Sequence, residues 1–377
     1  MNTPIVRIAI DGGPSGGKTA GMAHITSELA QVGIMTLIVP EAATLLILSG
    51  ITPKAVEMSP FQGAVVRLQI SNEAVWMKEA ERLQERFGKR VVLLCDRGIV
   101  GASAYLPEEG AAEALNDVLF EFDMDIESAR TRYAGVIHMV TAAEGAEGFY
   151  TLANNAARDE SPEQARELDR RSMKAWLGHP HLAVVANVDR EGNSVSFDRK
   201  IRHALAEVFR ILGYPVPLEI EEKYLLKGFD PARLPVAYEA IGIEQTYLVP
   251  EEAGAEERVR VRRWIGCSSH FHTIKKPAAD GARIEIERLI DAKEYLALLE
   301  RADPKRRTIK KTRYCFVWNA QYFEADVFEG VHQGLYFLER ERTSVNDRTV
   351  LPPFIDMVRD VTDDKSYKNS SLAKITV

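Results

Sequence analysis

The sequence has only three cysteines, Cys95, Cys267 and Cys315, and they lie far apart with no metal-binding spacing. That argues against a disulfide framework or a cysteine-based zinc site. It predicts a reducing, cytoplasmic location with the cysteines as small core residues. No uninterrupted apolar run approaches the roughly 18 residues of a spanning helix. No basic segment followed by an apolar one opens the chain, so no signal peptide is expected. A basic excess is also missing. The net charge is −7, which argues against non-specific nucleic-acid binding by a global basic surface and leaves only local basic patches. What is present is an ordinary globular composition, 46% hydrophobic and 27% charged. At 377 residues the chain has material for two or three domains.

One stretch stands out. Gly12, Gly13, Pro14, Ser15, Gly16, Gly17, Lys18 and Thr19 fit the pattern Gly, four residues, Gly-Lys-Thr. An apolar run, Ile5–Ile10, precedes it and reads as a strand; a helix start follows it. That context separates a phosphate loop from a chance match. Its amides can close around phosphate oxygens, with Lys18 reaching the terminal phosphates and Thr19 holding Mg²⁺.

Four further apolar runs, Thr36–Glu41, Val91–Asp96, Val136–Val140 and Leu182–Ala186, read as strands separated by helices. They predict an α/β doubly wound parallel sheet. Ligands sit at the carboxyl ends of such strands, where Lys18, Glu41 and Asp96 fall. Asp96 is the natural second magnesium residue, and Arg97 directly follows it as a phosphate contact. Glu41 reads as a general base or a hydrogen-bond partner for a substrate. On a helix expected over Pro60–Phe87, Gln62, Gln69 and Glu73 can share one face, either reading a polar substrate or facing solvent. Between Tyr150 and Trp176 lie Arg158, Arg166, Arg170 and Arg171. They fit a mobile arginine-bearing lid over a transferring phosphoryl group, or a solvated face paired with neighbouring acids.

Residues 4–190 resemble the P-loop kinase-like group known as NadR-like AAA domains and, more distantly, deoxynucleoside kinases. The resemblance rests on Gly12–Thr19, Val39-Pro40-Glu41, Phe61-Gln62 with Gln69 and Glu73, Asp96-Arg97-Gly98 with Tyr105, and Asn155–Arg158. It implies ATP or GTP as phosphate donor and a small-molecule acceptor, with Glu41 as base, Gln62 reading a base and Arg158 on the lid.

Gly213-Tyr214-Pro215-Val216-Pro217 follows an amphipathic helix and marks a boundary between domains at 1–215 and 216–377. Beyond it the character changes. Charged residues recur at period two among apolar ones: Glu219, Glu221 and Lys223; Arg258, Arg260 and Arg262; Arg283, Glu285 and Glu287; Lys311 and Arg313; Glu324 and Asp326; Glu339 and Glu341. A sandwich with a solvated face explains each strand singly. A closed antiparallel barrel with a wet, charged interior explains them together. Acids on some walls would bind Mg²⁺ or Mn²⁺, and basic residues on others would hold phosphates.

This half resembles the CYTH family, the triphosphate tunnel metalloenzymes. Glu219-Ile220-Glu221-Glu222-Lys223 fits the signature Glu-x-Glu-x-Lys, and matches continue through Glu244–Leu248, Arg260–Arg262, Thr273–Lys275, Arg283–Glu287, Lys311–Tyr314, Glu324–Phe328, Glu339–Glu341 and Tyr367–Ala373. The resemblance implies an eight-stranded tunnel, a divalent metal and a triphosphate-bearing substrate. By it Glu219, Glu221, Glu339 and Glu341, with Asp326, are metal ligands. Lys223, Arg260, Arg262, Lys275, Arg283, Lys311 and Arg313 line the phosphate path. Arg340 departs from the apolar residue usual between the last two acids and should point outward.

The expectation is a two-site enzyme: phosphoryl transfer to a nucleoside-like acceptor at the loop, and metal-dependent triphosphate hydrolysis in the tunnel. Two alternatives stand beside it. The tunnel could cyclise ATP. Or the protein is a nucleotide-switched module whose tunnel binds an anionic ligand, such as a phospholipid headgroup, without turnover.

Overall fold

The computed structural model describes residues 4–150, 160–189, 191–213, 220–264, 267–277, 283–342 and 348–375. The chain divides into two units, Met1–Val216 and Pro217–Val377.

In the first unit the five apolar runs become β1 (Val6–Asp11), β2 (Met35–Val39), β3 (Val91–Asp96), β4 (Gly135–Met139) and β5 (Leu182–Val185). They form one parallel sheet in the order β2-β3-β1-β4-β5. From Val91 to Cys95 every residue of β3 is fully buried, as a strand covered on both faces requires. The helices are α1 (Lys18–Gln31), α2 (Ala42–Leu48), α3 (Pro53–Val56), α4 (Met58–Phe87), α5 (Ala111–Phe120), α6 (Ile126–Thr131), α7 (Pro162–Trp176) and α8 (Phe197–Ile211). On one face of the sheet, Met22, Ile25 and Leu29 of α1 and Ile201, Ala204 and Val208 of α8 share a core with Ile8, Ile10 and Met139. β1 lies between β3 and β4, so the sheet's direction of winding reverses there. The crevice at the carboxyl ends of these strands is where ligands bind in such sheets.

Two local details differ from expectation. Gly50–Pro60, whose glycine and prolines predict a loop, contains α3, a single turn capped by the Thr52 side chain with Pro53 in its first position. Four residues are too few to show helical periodicity. β2 stops at Val39, and Glu41 becomes the N-cap of α2 rather than a strand residue.

The second unit contains β6 (Ile220–Leu226), β7 (Tyr238–Leu248), β8 (Glu256–Trp264), β9 (Cys267–Pro277), β10 (Arg283–Ile290), α9 (Ala292–Leu299), β11 (Ile309–Trp318), β12 (Gln321–Phe328), β13 (Tyr336–Arg342), β14 (Met357–Asp360) and α10 (Asn369–Leu372). The strands make one antiparallel sheet in the order β10-β9-β8-β7-β11-β12-β13-β6-β14. Among the described residues the sheet has nine strands, one beyond the expected eight. The ninth, β14, is a four-residue exposed edge strand joined to β6 through an irregular register. Its exposed residues carry no alternating pattern by which to find it. Among the described residues no pairing joins β10 to β14.

The sheet's two faces separate a tunnel wall from a solvated sandwich face. Tyr224, Leu226, Phe316, Phe323, Ala325 and Leu338 form the outer apolar layer, covered by Phe229, Leu234, Phe354 and neighbours. The opposite face carries the charged rows, yet Lys311 is 3% exposed, Asp326 0%, Glu339 5% and Arg262 3%. Charges on a solvated face would be open to water; these line an interior. An apolar cluster of Phe328, Phe337, Tyr247 and Ile309, joined by Val361, Tyr367, Leu372 and Ala373, occupies one end of that face. No helix among the described residues is long and apolar enough to cross a membrane.

Candidate active sites

The phosphate loop wraps the carboxyl end of β1. Gly12 adopts φ 131°, and a Cβ there would lie 2.1 Å from the Met139 carbonyl oxygen, so only glycine fits. Gly17 caps α1 in a left-handed conformation, and no side chain caps that helix. Its first-turn amides are therefore not taken by a side chain, as anion binding needs. Lys18 is buried and donates to the carbonyls of Gly12 and Gly13, both at 2.9 Å. Burial, then the nearby Arg97 cation, lowers its pKa to about 8.

Three ionised groups meet above the sheet. Arg97 sits at φ 68°, donates through Nε to Glu41 Oε1 at 2.6 Å and pairs through Nη1 with Asp11 at 3.2 Å. Burial pushes the Glu41 carboxyl up, but Arg97, Lys18 and a hydrogen bond from Thr44 outweigh it and hold the pKa at about 2. Such a carboxylate is a weak base at neutral pH and a strong hydrogen-bond acceptor. Asp96 behaves oppositely. Burial, then the Glu41 charge, raises it to about 6, and its buried Oδ1 has no hydrogen-bond partner among the described residues. An orphaned, destabilised carboxylate beside a phosphate loop is what a cation would satisfy, so Asp96 with Thr19 fits Mg²⁺.

A cavity of about 870 Å³ opens beside this cluster. Its lining includes Pro14 of the loop, Glu41, Arg97 and Tyr105 at the polar end, and Met58, Phe61, Gln62, Val65 and Gln69 from α4. Gln62 and Gln69 are thus brought to one site, as their spacing predicts.

The α7 arginines take other partners. Arg166 bonds the Ala143 carbonyl at 2.7 Å and Glu163 at 3.0 Å; Arg170 pairs with Glu167, and Arg171 with the Leu106 carbonyl. The inner face of α7 is fastened to the loop instead. Asp169 accepts from the Gly13 amide at 2.6 Å and the Thr141 amide at 3.1 Å, and meets His138 at 3.2 Å. Ser172 and Trp176 both donate to Asp11, at 3.1 and 2.6 Å. Behind the loop, Lys200 of α8 spends its three protons on Gly16 O, Val140 O and Asn187 Oδ1 at 2.9, 2.6 and 2.7 Å. Sequence reading missed Asp11, Asp169 and Lys200. A signal existed for two of them: Asp169, Ser172 and Trp176 share one helical stripe, and Lys200 interrupts the apolar face of α8.

In the second unit, strand register places the charges opposite one another: Glu339 beside Lys223, Glu324 beside Glu339, and Arg313 beside Asp326. Lys223 Nζ is 2.7 Å from Glu339 and 3.8 Å from Glu221. Arg313 grips Asp326 with two bonds of 2.7 Å, Glu339 with one of 2.5 Å, and Glu324. Lys311 also meets Asp326. Burial opposes the Glu339 charge, but Lys223, Lys311 and Arg313 hold its carboxyl well below the usual range. Glu221 is half open to solvent, and burial and the Glu339 charge push it up. It is reachable by water yet walled by protein, as on the surface of a wet bore. Glu341 is exposed. On the basic wall, Arg262 is buried, Arg260 lies 3.8 Å from Glu287, and Lys275 occupies β9. Burial lowers Lys311 and Arg260, which favours a compensating anion.

The oxygen donors of Glu221, Asp326, Glu339 and Glu341 suit a hard divalent ion. Among the described residues, however, no three acidic, histidine or cysteine side chains converge as a metal shell does. Arg313, Lys223 and Lys311 hold the acids instead. Arg158 and Glu219 lie outside the described residues, as do the side chains of Arg283 and Glu285. Arg340 points away from the charged face and is bonded to Thr349, which also meets Glu222. The outward direction is as expected, and the partner is within its own unit.

These two units define a P-loop nucleotide-binding domain followed by an antiparallel domain with a charged interior face. Residues 7–192 match the family model described as an AAA domain. The chain is 31% identical to an inorganic triphosphatase of Nitrosomonas europaea over 41% of its own length and 96% of the relative's. It is 30% identical to an inorganic triphosphatase of Acetivibrio thermocellus, over 41% of this chain and 93% of that one. A solved inorganic triphosphatase is 30% identical, over 42% of this chain and 96% of the other, with a TM-score of 0.31. Through its second unit the chain belongs to the inorganic triphosphatase, or CYTH, family.

Proposed function

We propose that the protein is a two-site enzyme. The first unit transfers a phosphoryl group from ATP or GTP to a small, nucleoside-like acceptor. The second hydrolyses a triphosphate, either inorganic tripolyphosphate or a nucleoside triphosphate. The observation that carries the tunnel half is the buried face on which Lys311, Arg313, Asp326 and Glu339 stand together. A tight array of both charge signs suits a polyanion with its counter-cation better than a neutral ligand. The names of the two bacterial relatives support a triphosphate as substrate.

At the loop, Lys18 would leave the Gly12 and Gly13 carbonyls for the terminal phosphates. Glu41, fixed by Arg97 and Thr44, would orient the acceptor hydroxyl as a hydrogen-bond acceptor. In the tunnel, Lys223, Arg260, Arg262, Lys275, Lys311 and Arg313 would grip the phosphates. As those cations turn to the phosphates, Glu221, Asp326, Glu339 and Glu341 would be released to hold Mg²⁺ or Mn²⁺, which supplies polarisation of a phosphoryl oxygen and a more acidic water. Paired carboxylates argue against the non-hydrolytic anion-binding alternative, which has no use for them.

The test is a product screen with both metals on the wild type, Lys18→Ala and Glu339→Ala. Orthophosphate release that survives Lys18→Ala but not Glu339→Ala, with transfer to the acceptor showing the reverse, supports the two-site reading. Loss of all activity from either change overturns it. Cyclic nucleotide with pyrophosphate would make the tunnel a cyclase. No turnover of any triphosphate would leave an anion-binding module.

A further inference from the structure

One polar group in the cavity beside the loop has its orientation dictated from behind. Gln69 lines that cavity and is 3% exposed. Its Nε2 donates to Glu73 Oε1 at 3.0 Å and lies 3.5 Å from the Arg97 carbonyl oxygen. Both partners are acceptors. A primary amide has one donor end and one acceptor end. Turning it round would set its carbonyl oxygen against two other oxygens, so the network itself assigns the amide. The carbonyl end of Gln69 is left to the cavity.

Glu73 is held in turn. It is completely buried, one turn along α4 from Gln69, and does not line the cavity. Its Oε1 also accepts from the Tyr133 hydroxyl at 2.6 Å, and that hydroxyl accepts from the Ile99 amide at 2.9 Å. Its Oε2 faces Arg132 Nε at 3.2 Å and Arg7 Nε at 3.7 Å. With two hydrogen bonds to Oε1, from Gln69 and Tyr133, and ion pairs from Arg132 and Arg7 to Oε2, this carboxylate cannot rotate without giving up several contacts. Gln62, by contrast, meets the Met58 sulfur at 3.6 Å, a weak acceptor that fixes no direction.

We propose that Glu73 is a positioning residue that locks the Gln69 carbonyl toward the cavity, so that the site selects acceptors presenting an N–H donor there. Among nucleosides this means a base with an exocyclic amino group over the same ring with a carbonyl in its place. The proposal rests on the phosphoryl-transfer reading of the cavity. A carbonyl ligand would place two acceptors face to face in a nearly dry site, where a mismatched polar contact is strongly disfavoured.

The experiment is equilibrium binding of cytidine, uridine, adenosine and inosine to the full chain, by calorimetry. The wild type should bind cytidine over uridine, or adenosine over inosine, by about tenfold or more. In Glu73→Gln the amide gains a donor behind it and can turn, so the ratio should fall to within about threefold. Gln69→Leu should erase the ratio by removing the acceptor. A merely structural role for Glu73 would weaken both members of a pair alike and leave the ratio unchanged. Wild-type preference for the carbonyl member overturns the proposal, as does an unchanged ratio in folded Glu73→Gln. If Glu73→Gln fails to fold, Gln69→Leu decides, and a retained ratio overturns the proposal. Equal binding of all four defeats this inference alone. Binding of none defeats the nucleoside reading and the inference with it.

Discussion

Arg313 and Asp326 face each other across β11 and β12 and form a two-pronged ion pair, with Nε to Oδ1 and Nη2 to Oδ2 both at 2.7 Å. The same guanidinium reaches Glu339 and Glu324. The acids suited to a divalent ion are thus paired with arginine, through a two-pronged geometry lysine cannot copy.

Arg313→Ala should therefore be severe. It leaves buried Asp326 and Glu339 and half-buried Glu324 short of their main counter-charge, a change that costs about 3–5 kcal/mol. The second unit should unfold at lower denaturant and phosphate release should be lost. Nucleotide binding at the loop should persist, as calorimetry on the folded variant would show.

Lys18 sets a pH dependence. With burial and Arg97 holding its pKa at about 8, Lys18 carries its proton below that pH, and a nucleotide meets a cation already formed. Above that value binding must first take up a proton. Affinity should be flat from pH 6 to 7.5 and then fall toward about tenfold per unit. Calorimetry at pH 8.5 in buffers of different ionisation enthalpy should reveal proton uptake on binding; its absence would contradict the buried resting position of Lys18.

Asp96 should trade stability for function. Its folded pKa is raised from 3.8 to about 6, so ionising it carries no folding penalty below pH 3.8 and the full penalty above pH 6. Asp96→Asn should stabilise the empty first unit at pH 7.5 by on the order of 1–3 kcal/mol, with the gain shrinking as the pH drops below 6. The same change should weaken binding of magnesium nucleotide. Melting curves across pH and a Mg²⁺ titration check the two halves separately.

Lys200→Met should weaken the loop without touching a ligand. Three acceptors, Gly16 O, Val140 O and Asn187 Oδ1, lose their donor together. A loss of about 2–4 kcal/mol is expected. Nucleotide affinity should fall because the Gly16 peptide is no longer braced. An unchanged melting temperature would show that the ammonium is dispensable.

The phosphate loop and the paired strand charges were legible because each is written at short range. Eight consecutive residues specify the loop, and period two marks a strand face whatever it packs against. The hub residues were not legible in the same way. Asp11 meets Trp176 and Ser172, Asp169 meets Gly13, and Lys200 meets Gly16, partners separated by more than 150 positions. The arginine-rich segment left two readings open for a related reason. Spacing put Arg166 and Arg170 on one side of a helix, but acids one turn away, Glu163 and Glu167, hold them.

By itself the sequence determined the strand periodicities, the loop and the set of charged groups, since these depend on backbone geometry and residue chemistry within a few positions. It also carried the kinship of the second unit. Only the tertiary structure decided which face of the nine-stranded sheet is interior. It did so by burying Lys311, Asp326 and Glu339 on the charged side. It alone decided that Glu41 is an acceptor held near pKa 2 while Asp96 is raised to about 6. Charge states in a crowded site follow from distance and desolvation, and neither exists until distant strands are brought together.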